Sequence, residues 1–210
     1  MPELKEKCAV FGVVSATSDS ARLTYYGLWA LQHRGQESSG IASYDGQEFH
    51  LKSGPGLVAH VYNEADLSRL KGKMSIGHNR YATSGEGIQP YVFPEVGMAF
   101  AHNGNLPSTR KLEEFLSSHD VDATGLNDSA MMAAAIAWYM QSGKSLVAAV
   151  EAAWPLFTGA FSCVAMDRDT VVGFRDECGI RPLSIGDLPD GYVIASETCA
   201  FDTVGAAFLR

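Results

Sequence analysis

The sequence predicts an α+β fold in which two mainly antiparallel sheets pack together and helices cover the outside. Strand-like segments come first, a block of helices follows, and strands return in the last third. This order lacks the strict alternation of strands and helices that a parallel doubly wound sheet requires. The late strands run apolar or alternate between Gly, Pro and Asp turns, which is typical of antiparallel sheets.

The first third contains a strand, a helix and a hairpin. Cys8–Val14 is an apolar run that predicts a strand, and Ala21–His33 carries an apolar face at helical spacing. Asp45-Gly46 is a strong hairpin turn signal, and it joins the predicted strands Ile41–Tyr44 and Glu48–Lys52.

The remaining elements follow from the same patterns. Asn63–Leu70 predicts a short helix with Asn63 as its cap, and Asn127 or Asp128 caps the second of three later helices. Those helices are predicted at about Ser108–Ser118, Ser129–Gln141 and Lys144–Trp154. Further strands are predicted at Met74–Arg80, Met98–His102, Ala160–Asp167, Thr170–Arg175, Leu183–Gly186 and Tyr192–Ser196, before a short helix at Cys199–Val204.

The composition of the 210 residues is that of a globular protein that binds neither nucleic acid nor membrane. Sixteen basic residues against 24 acidic ones give a net charge of −8, with no Lys/Arg cluster. The longest apolar stretch, Met131–Met140, is half of the ~20 residues that a membrane span needs. Met1–Lys7 lacks the apolar core of a secretory signal, and the four cysteines show no zinc spacing. Reduced thiols and a cytoplasmic location are therefore expected.

Cys8 is the candidate nucleophile. If Met1–Lys7 were removed, Cys8 would carry a thiol and a free α-amine on one residue. An α-amine has a pKa of roughly 7.7–8.0, which suits a general base. The alternative is a small buried strand residue, because free cysteine is among the most buried residue types.

Asn103-Gly104 could stabilise an oxyanion. Thiolate attack on a carboxamide places negative charge on oxygen, which needs donors already aimed at it. The Asn103 amide offers N–H donors, and Gly104 can turn its backbone N–H inward at little conformational cost. The alternative is a hairpin turn, in which Asn-Gly is common.

Arg80 and Asp128 could together hold an amino acid. A guanidinium suits a carboxylate, an aspartate suits an ammonium group, and Thr83 could add a hydroxyl. The alternative for Asp128 is to cap its own helix. Arg34 lies in a polar, glycine-bearing stretch, where a solvated loop position is the simpler interpretation.

The histidines predict no metal site, because the six are scattered without a carboxylate at ligand spacing. His78 or His102 could pair with Cys8 in a Cys–His peptidase, which is a rival nucleophilic arrangement. No phosphate-binding loop motif occurs.

Seven motifs taken together resemble a known family. Five of them have the order and spacing of class II glutamine amidotransferase domains: Cys8–Gly12, Leu31–Gln36, Ile76–Thr83, Ala101–Asn105 and Asn127–Ser129. Two later stretches, Arg175–Leu183 and Ala195–Asp202, look like the amidophosphoribosyltransferase family within that class. The resemblance covers essentially the whole chain.

The resemblance implies a four-layer α/β/β/α N-terminal-nucleophile hydrolase, with residues 1–7 as a short propeptide and residues 8–210 as the glutaminase domain. The substrate would be L-glutamine, cleaved to glutamate and ammonia through a thioester on Cys8. By motif position, Asn103 and Gly104 would form the oxyanion hole, with Gly104 also contacting the substrate. Arg80 and Thr83 would hold its α-carboxylate, Asp128 its α-ammonium group, and Arg34 would order the nucleophile.

The resemblance also implies a partner that the chain lacks. A phosphoribosyltransferase domain would use the ammonia on phosphoribosylpyrophosphate, in the first step of de novo purine synthesis. That domain would hold Mg²⁺ and, in some members, an iron–sulfur cluster, so no cofactor is expected here; the full enzyme would be a homo-oligomer. Two positions depart from the family pattern, Ala9 in place of glycine and Ala130 in place of an acidic residue. The alternative function is an unprocessed, non-catalytic glutamine-binding or assembly domain.

Overall fold

The computed structural model describes residues 7–17, 19–81 and 87–210. Within them the strands form two antiparallel sheets, one of seven strands and one of four. The strands of the larger sheet are β1 (Ala9–Ser15), β2 (Ser38–Tyr44), β3 (Phe49–Pro55), β4 (Met74–Arg80), β9 (Ser184–Leu188), β10 (Gly191–Ala195) and β11 (Ala207–Phe208). Their order across the sheet is β11-β9-β10-β1-β4-β2-β3. The strands of the smaller sheet are β5 (Tyr91–Phe93), β6 (Met98–Gly104), β7 (Phe161–Met166) and β8 (Val171–Arg175). They lie in the order β5-β6-β7-β8.

The helices lie between these strands in the chain. The described helices are α1 (Ser20–Ala30), α2 (Val58–Val61), α3 (Glu64–Arg69), α4 (Arg110–Ser118), α5 (Asp128–Gln141), α6 (Leu146–Ala153) and α7 (Cys199–Val204). Two 3₁₀ turns, Gln32–Arg34 and Trp154–Leu156, follow α1 and α6. None of the helices in the described part of the chain has both the length and the apolar character that crossing a bilayer requires.

Three apolar cores hold four layers together. One core lies between the seven-stranded sheet and α1 and α7, and includes Phe11, Leu28 and Phe201. A second lies between the four-stranded sheet and helices α4, α5 and α6. The third lies between the two sheets, where Val10 and Ile76 of the larger sheet share a cluster with Val164 of the smaller. The prediction of two packed antiparallel sheets with outer helices is confirmed.

Strand alternation decides which side chains can meet at the sheet ends. In β1, Ala9 belongs to the helix-side core and Val10 to the inter-sheet core. Successive side chains of a strand point to opposite faces. Cys8 lies directly before β1, outside this alternation, and its side chain lines a cavity together with His78 and Arg80. The same parity puts His78 and Arg80 of β4 on the side of Ile76.

Several boundaries differ from the prediction for identifiable reasons. Helix α1 ends at Ala30 instead of His33, and the 3₁₀ turn that follows lets the Arg34 carbonyl accept the Cys8 N–H at 3.0 Å. Strand β6 continues through Asn103 and Gly104, which pair with Ser162 and Phe161 of β7. Asn-Gly is therefore not a hairpin turn here. The short elements α2, β5 and β11 were not predicted, because two to four residues carry too little periodicity.

The structure shows which of Asn127 and Asp128 caps helix α5. Asn127 caps α5, since its side chain accepts from the Ala130 N–H at 2.9 Å, and Asp128 is the first helical residue. The prediction of Asn63 as a cap is confirmed by a complete capping box with Asp66. Asp128 is thus released from capping and is available for contacts with other segments.

Candidate active site

A cavity of about 290 Å³ opens where β1, β4 and β6 meet the start of α5. Cys8, Arg80, Gly104 and Asp128 all line it. Its volume lies at the lower end of ordinary ligand cavities, which measure roughly 300–1,000 Å³, so it suits a molecule the size of an amino acid. The structure therefore brings together four of the residues that the sequence singled out.

The Cys8 thiol is surrounded by backbone groups and by positive charge. Tyr81 N–H donates to Sγ at 3.5 Å, and Sγ lies 3.9 Å from the Tyr81 carbonyl oxygen. Burial raises the pKa of the Cys8 thiol, while the Tyr81 contact and the charges of Arg80, Arg181 and Arg34 act in the opposite direction. Burial prevails, so the thiol is mainly protonated at neutral pH and needs a base before it can attack.

Arg34 is fully buried and makes two hydrogen bonds with the main chain of Cys8. Its Nε donates to the Cys8 carbonyl oxygen at 2.8 Å, and its own carbonyl accepts the Cys8 N–H at 3.0 Å. Its guanidinium also pairs with Glu197. The interpretation of Arg34 as a solvated loop residue is wrong, because a buried arginine requires such partners.

Cys8 also has an unusual backbone conformation. Its φ is +65°, a region that residues other than glycine rarely adopt because Cβ crowds the backbone. Such a conformation costs of order 1–2 kcal/mol and persists only when the surroundings enforce it. The paired hydrogen bonds to Arg34 are the contacts that enforce it here.

Arg80 and Asp128 place opposite charges on the cavity wall. Arg80 Nη1 donates to the Gly87 carbonyl at 2.6 Å, and its Nε lies 3.7 Å from a carboxylate oxygen of Glu37. Asp128 accepts from the Leu106 N–H at 2.9 Å. Both side chains are held by neighbouring backbone, which orients them before any ligand arrives.

Asn103 and Gly104 occupy the last two positions of β6. Gly104 has φ +157°, and a Cβ there would stand 2.6 Å from the Ala160 carbonyl oxygen and 2.7 Å from His102 Nε2, so only glycine fits. Asn103 is fully buried and is not on the cavity wall. Its Nδ2 lies 3.4 Å from Ser162 Oγ, while its Oδ1 has no hydrogen-bond partner among the described residues.

A buried polar network connects His102 to Asp128. Gln89 Oε1 accepts the His102 N–H at 2.6 Å, and Gln89 Nε2 donates to Ser129 Oγ at 3.2 Å. Ser129 Oγ also lies 2.8 Å from His102 Nδ1 and 3.3 Å from Asp128 Oδ1. A carboxylate only accepts, so the Ser129 hydroxyl donates to Asp128 and His102 Nδ1–H donates to Ser129. The remaining nitrogen of neutral His102, Nε2, is then an acceptor.

Neither cavity histidine is paired with Cys8. His102 Nε2 and both ring nitrogens of His78 have no hydrogen-bond partner within the described residues. Burial lowers the pKa of His78 to about 3 and that of His102 to about 4, so both rings are neutral at pH 7. A Cys–His pair needs an imidazole basic enough to take the thiol proton. The structure therefore does not form the peptidase arrangement.

Thr83 and Ala9 are two further residues that the sequence singled out. Thr83 lies outside the described residues. The methyl group of Ala9 is buried in the core on the α1 side, away from the cavity, so it does not crowd a ligand. Sequence reasoning missed Arg181, whose charge acts on Cys8, and Glu197, which holds Arg34. Both stand in the late motifs Arg175–Leu183 and Ala195–Asp202, to which no role could be given without the fold.

The chain is similar to known proteins over nearly its whole length. Residues 72–203 match the family described as "Glutamine amidotransferase domain". The amidophosphoribosyltransferases of Synechocystis and Bacillus subtilis are 44% and 40% identical to the chain over 98% and 99% of its length. A solved structure of B. subtilis glutamine phosphoribosylpyrophosphate amidotransferase, complexed with ADP and GMP, superimposes with a TM-score of 0.85 at 40% identity and covers 97% of the chain. The predicted N-terminal-nucleophile architecture is thereby confirmed.

The match is to one part of these relatives. The chain spans 44% of the length of both curated relatives and 45% of the solved chain. The remaining half of each relative has no counterpart in the 210 residues.

Proposed function

Because the chain belongs to the class II glutamine amidotransferase domains, we propose that it hydrolyses the side-chain amide of glutamine at Cys8. The observation that carries this proposal is the single cavity lined by Cys8, Arg80, Gly104 and Asp128. A thiol stands there beside one cationic and one anionic side chain, which is the complement of an amino acid with a reactive side chain.

We propose that residues 1–7 are removed and that the domain proper is 8–210. Removal would delete the Lys7 carbonyl, which defines φ at Cys8, and with it the strain of the +65° conformation. The freed α-amine would keep its donor contact to the Arg34 carbonyl, now 3.0 Å from the Cys8 nitrogen. Its lone pair would then be available for the thiol proton.

The reaction follows from these groups. The α-amine takes the Sγ proton, and the thiolate attacks the carboxamide carbon of glutamine. Negative charge moves to the amide oxygen, where the Gly104 N–H and the Asn103 amide would stabilise it. The ammonium proton passes to the departing nitrogen, which leaves as ammonia with a glutamyl thioester on Cys8. Water, deprotonated by the same amine, then releases glutamate and restores the thiol.

Asn103 needs one rearrangement to act in this way. A half-turn of its amide would let the Ser162 hydroxyl donate to Oδ1 and would direct both N–H donors to the side where Oδ1 now stands without a partner. Ser162 shares the inter-sheet face with Asn103 and is fully buried. It would therefore hold the amide in the donating orientation.

Asn103→Ala is expected to lower kcat for glutamine hydrolysis by roughly 10²–10³, the usual loss when an oxyanion donor is removed. KM should change little, because the interaction forms only as charge develops. Steady-state kinetics on the processed protein measure both constants. A rise in KM at unchanged kcat would assign Asn103 to ground-state binding instead.

Asp128→Asn tests the ammonium site. We expect the wild-type protein to discriminate glutamine from its desamino analogue, 4-carbamoylbutanoate, and the variant to lose most of that discrimination, about 10–100-fold in kcat/KM. Competition kinetics with the two amides give the ratio. Asp122→Asn, which removes an exposed carboxylate before α5, is the matched control. If Asp128→Asn and the wild type discriminate equally between the two amides, Asp128 does not bind the substrate ammonium group.

We further propose that the ammonia serves a phosphoribosyltransferase domain acting on phosphoribosylpyrophosphate, in a cytoplasmic homo-oligomeric enzyme of purine synthesis. The support is the family of the relatives and the length by which they exceed this chain. Glutamate release by the processed chain, compared with the unprocessed chain, tests the hydrolytic half. A processed chain that binds glutamine without releasing glutamate would favour the non-catalytic alternative.

A further inference from the structure

His33, Glu197 and Cys199 form a cluster beside Arg34, outside the cavity. The ligand atoms of the three side chains all lie within 4.8 Å of one another. His33 and Cys199 are exposed, and Glu197 is half-buried. None of the three lines the cavity that holds the Cys8 thiol.

The hydrogen bonds of His33 define which ring nitrogen can bind a ligand. Nδ1 lies 3.1 Å from the Ala30 carbonyl oxygen, which can only accept, so Nδ1 carries the proton. Nε2 then carries the lone pair of the neutral ring, and this nitrogen lies 3.0 Å from Glu197 Oε2. Nε2 of His33 and Oε2 of Glu197 can therefore both offer lone pairs to one metal ion placed between them.

Cys199 adds a third metal-ligating atom beside His33 and Glu197. Its Sγ lies 3.7 Å from the same Glu197 oxygen. In a tetrahedral zinc site, ordinary Zn–N, Zn–O and Zn–S bonds place nitrogen and oxygen ligands about 3.3 Å apart and oxygen and sulfur ligands about 3.5 Å apart. The two distances in the cluster agree with these values to within about 0.3 Å.

The surroundings of the cluster also resemble those of a metal site. The second ring nitrogen of His33 is fixed by a backbone carbonyl, as in most histidine ligands. The other carboxylate oxygen of Glu197 is held by Arg34, which leaves Oε2 pointing at His33 and Cys199. A set of one imidazole, one carboxylate and one thiolate favours Zn²⁺ among common cations.

We infer that His33, Glu197 and Cys199 bind one Zn²⁺ ion, with solvent as the fourth ligand. Binding releases the Cys199 thiol proton to solvent, because the thiolate is the ligand. The metal would share Glu197 with Arg34, whose Nε holds the Cys8 carbonyl. The site is separate from the cavity, and its existence does not depend on the proposed hydrolysis.

Zinc binding to the full chain tests this inference. The measurements are equilibrium dialysis with Zn²⁺ and, with Co²⁺ in its place, the thiolate-to-cobalt absorption band. They are made in a Cys8→Ala background, so that a processed amino-terminal cysteine cannot itself chelate the metal. We expect one Zn²⁺ per chain, with affinity at least tenfold lower in Cys199→Ser and in His33→Gln. The cobalt band should disappear in Cys199→Ser.

Two controls make the result specific. Cys178→Ser removes another exposed thiol, and His60→Gln removes another exposed imidazole; both should leave zinc affinity unchanged. No stoichiometric zinc, or zinc affinity unchanged in both cluster variants, would overturn the inference and leave His33 and Glu197 as a hydrogen-bonded pair. Neither zinc measurement uses glutamine, so failure of the proposed glutamine hydrolysis would not change the zinc result.

Discussion

Replacement of Cys8 by alanine is expected to lower glutamine hydrolysis by roughly 10⁴-fold or more, because the variant lacks the atom that forms the thioester. The fold should be unaffected. The side chain stands at the cavity, and its hydrogen-bond contacts are with the Tyr81 backbone. The Arg34 contacts use only the main chain of residue 8, so alanine retains them. Activity assays and circular dichroism of the same preparation check both expectations.

Cys178→Ala is the matched control, since Cys178 is an exposed thiol that lies outside the cavity wall. It should retain full activity. Substantial glutamine hydrolysis by Cys8→Ala would contradict the thioester mechanism, whatever the effect on KM. Loss of activity together with loss of the circular dichroism spectrum would show instead that position 8 supports the fold.

Acidification is expected to destabilise the protein by several kcal/mol between about pH 6.5 and pH 4. The cause is the burial of His78 and His102, which lowers their pKa values from 6.5 to about 3 and about 4. In this pH window the unfolded chain binds protons that the folded chain does not, so stability falls as the pH falls. Each pKa unit corresponds to about 1.4 kcal/mol. Urea unfolding at a series of pH values measures the slope.

His78→Phe isolates the contribution of one ring. Both ring nitrogens of His78 are buried without a well-formed hydrogen bond among the described residues, so phenylalanine removes a titrating group and gives up at most a weak contact with the His102 backbone. The variant should lose about half of the pH dependence between pH 6.5 and pH 4. His60→Gln, at an exposed site, should keep the whole of it. An unchanged slope in His78→Phe would show that other groups cause the acid sensitivity.

Strong local signals in the sequence were enough to predict much of the fold. Strand Met74–Arg80 and helix Cys199–Val204 have the predicted bounds, because each is a periodic run between clear turn residues. Asn63 is the predicted cap, since its side chain satisfies the first turn without help from distant residues. Such elements are determined by neighbours in the sequence.

Features that depend on distant segments could not be predicted. The pairing of Asn103 with Ser162 joins residues 59 positions apart, and it converts an expected turn into the end of a strand. The burial of Arg34 depends on Glu197, which lies 163 positions later. Neither partner could be inferred from local periodicity, and the resemblance supplied positions for site residues but not their hydrogen bonds.

The cysteine mechanism is best tested by the intact mass of the protein, measured before glutamine is added and again after mixing with glutamine and quenching in acid. We expect loss of the mass of residues 1–7, followed by a glutamyl adduct on the peptide that begins with Cys8. The adduct should be absent from Cys8→Ala. A chain of full mass that releases ammonia from glutamine, or an adduct on any other residue, would contradict hydrolysis by an amino-terminal Cys8.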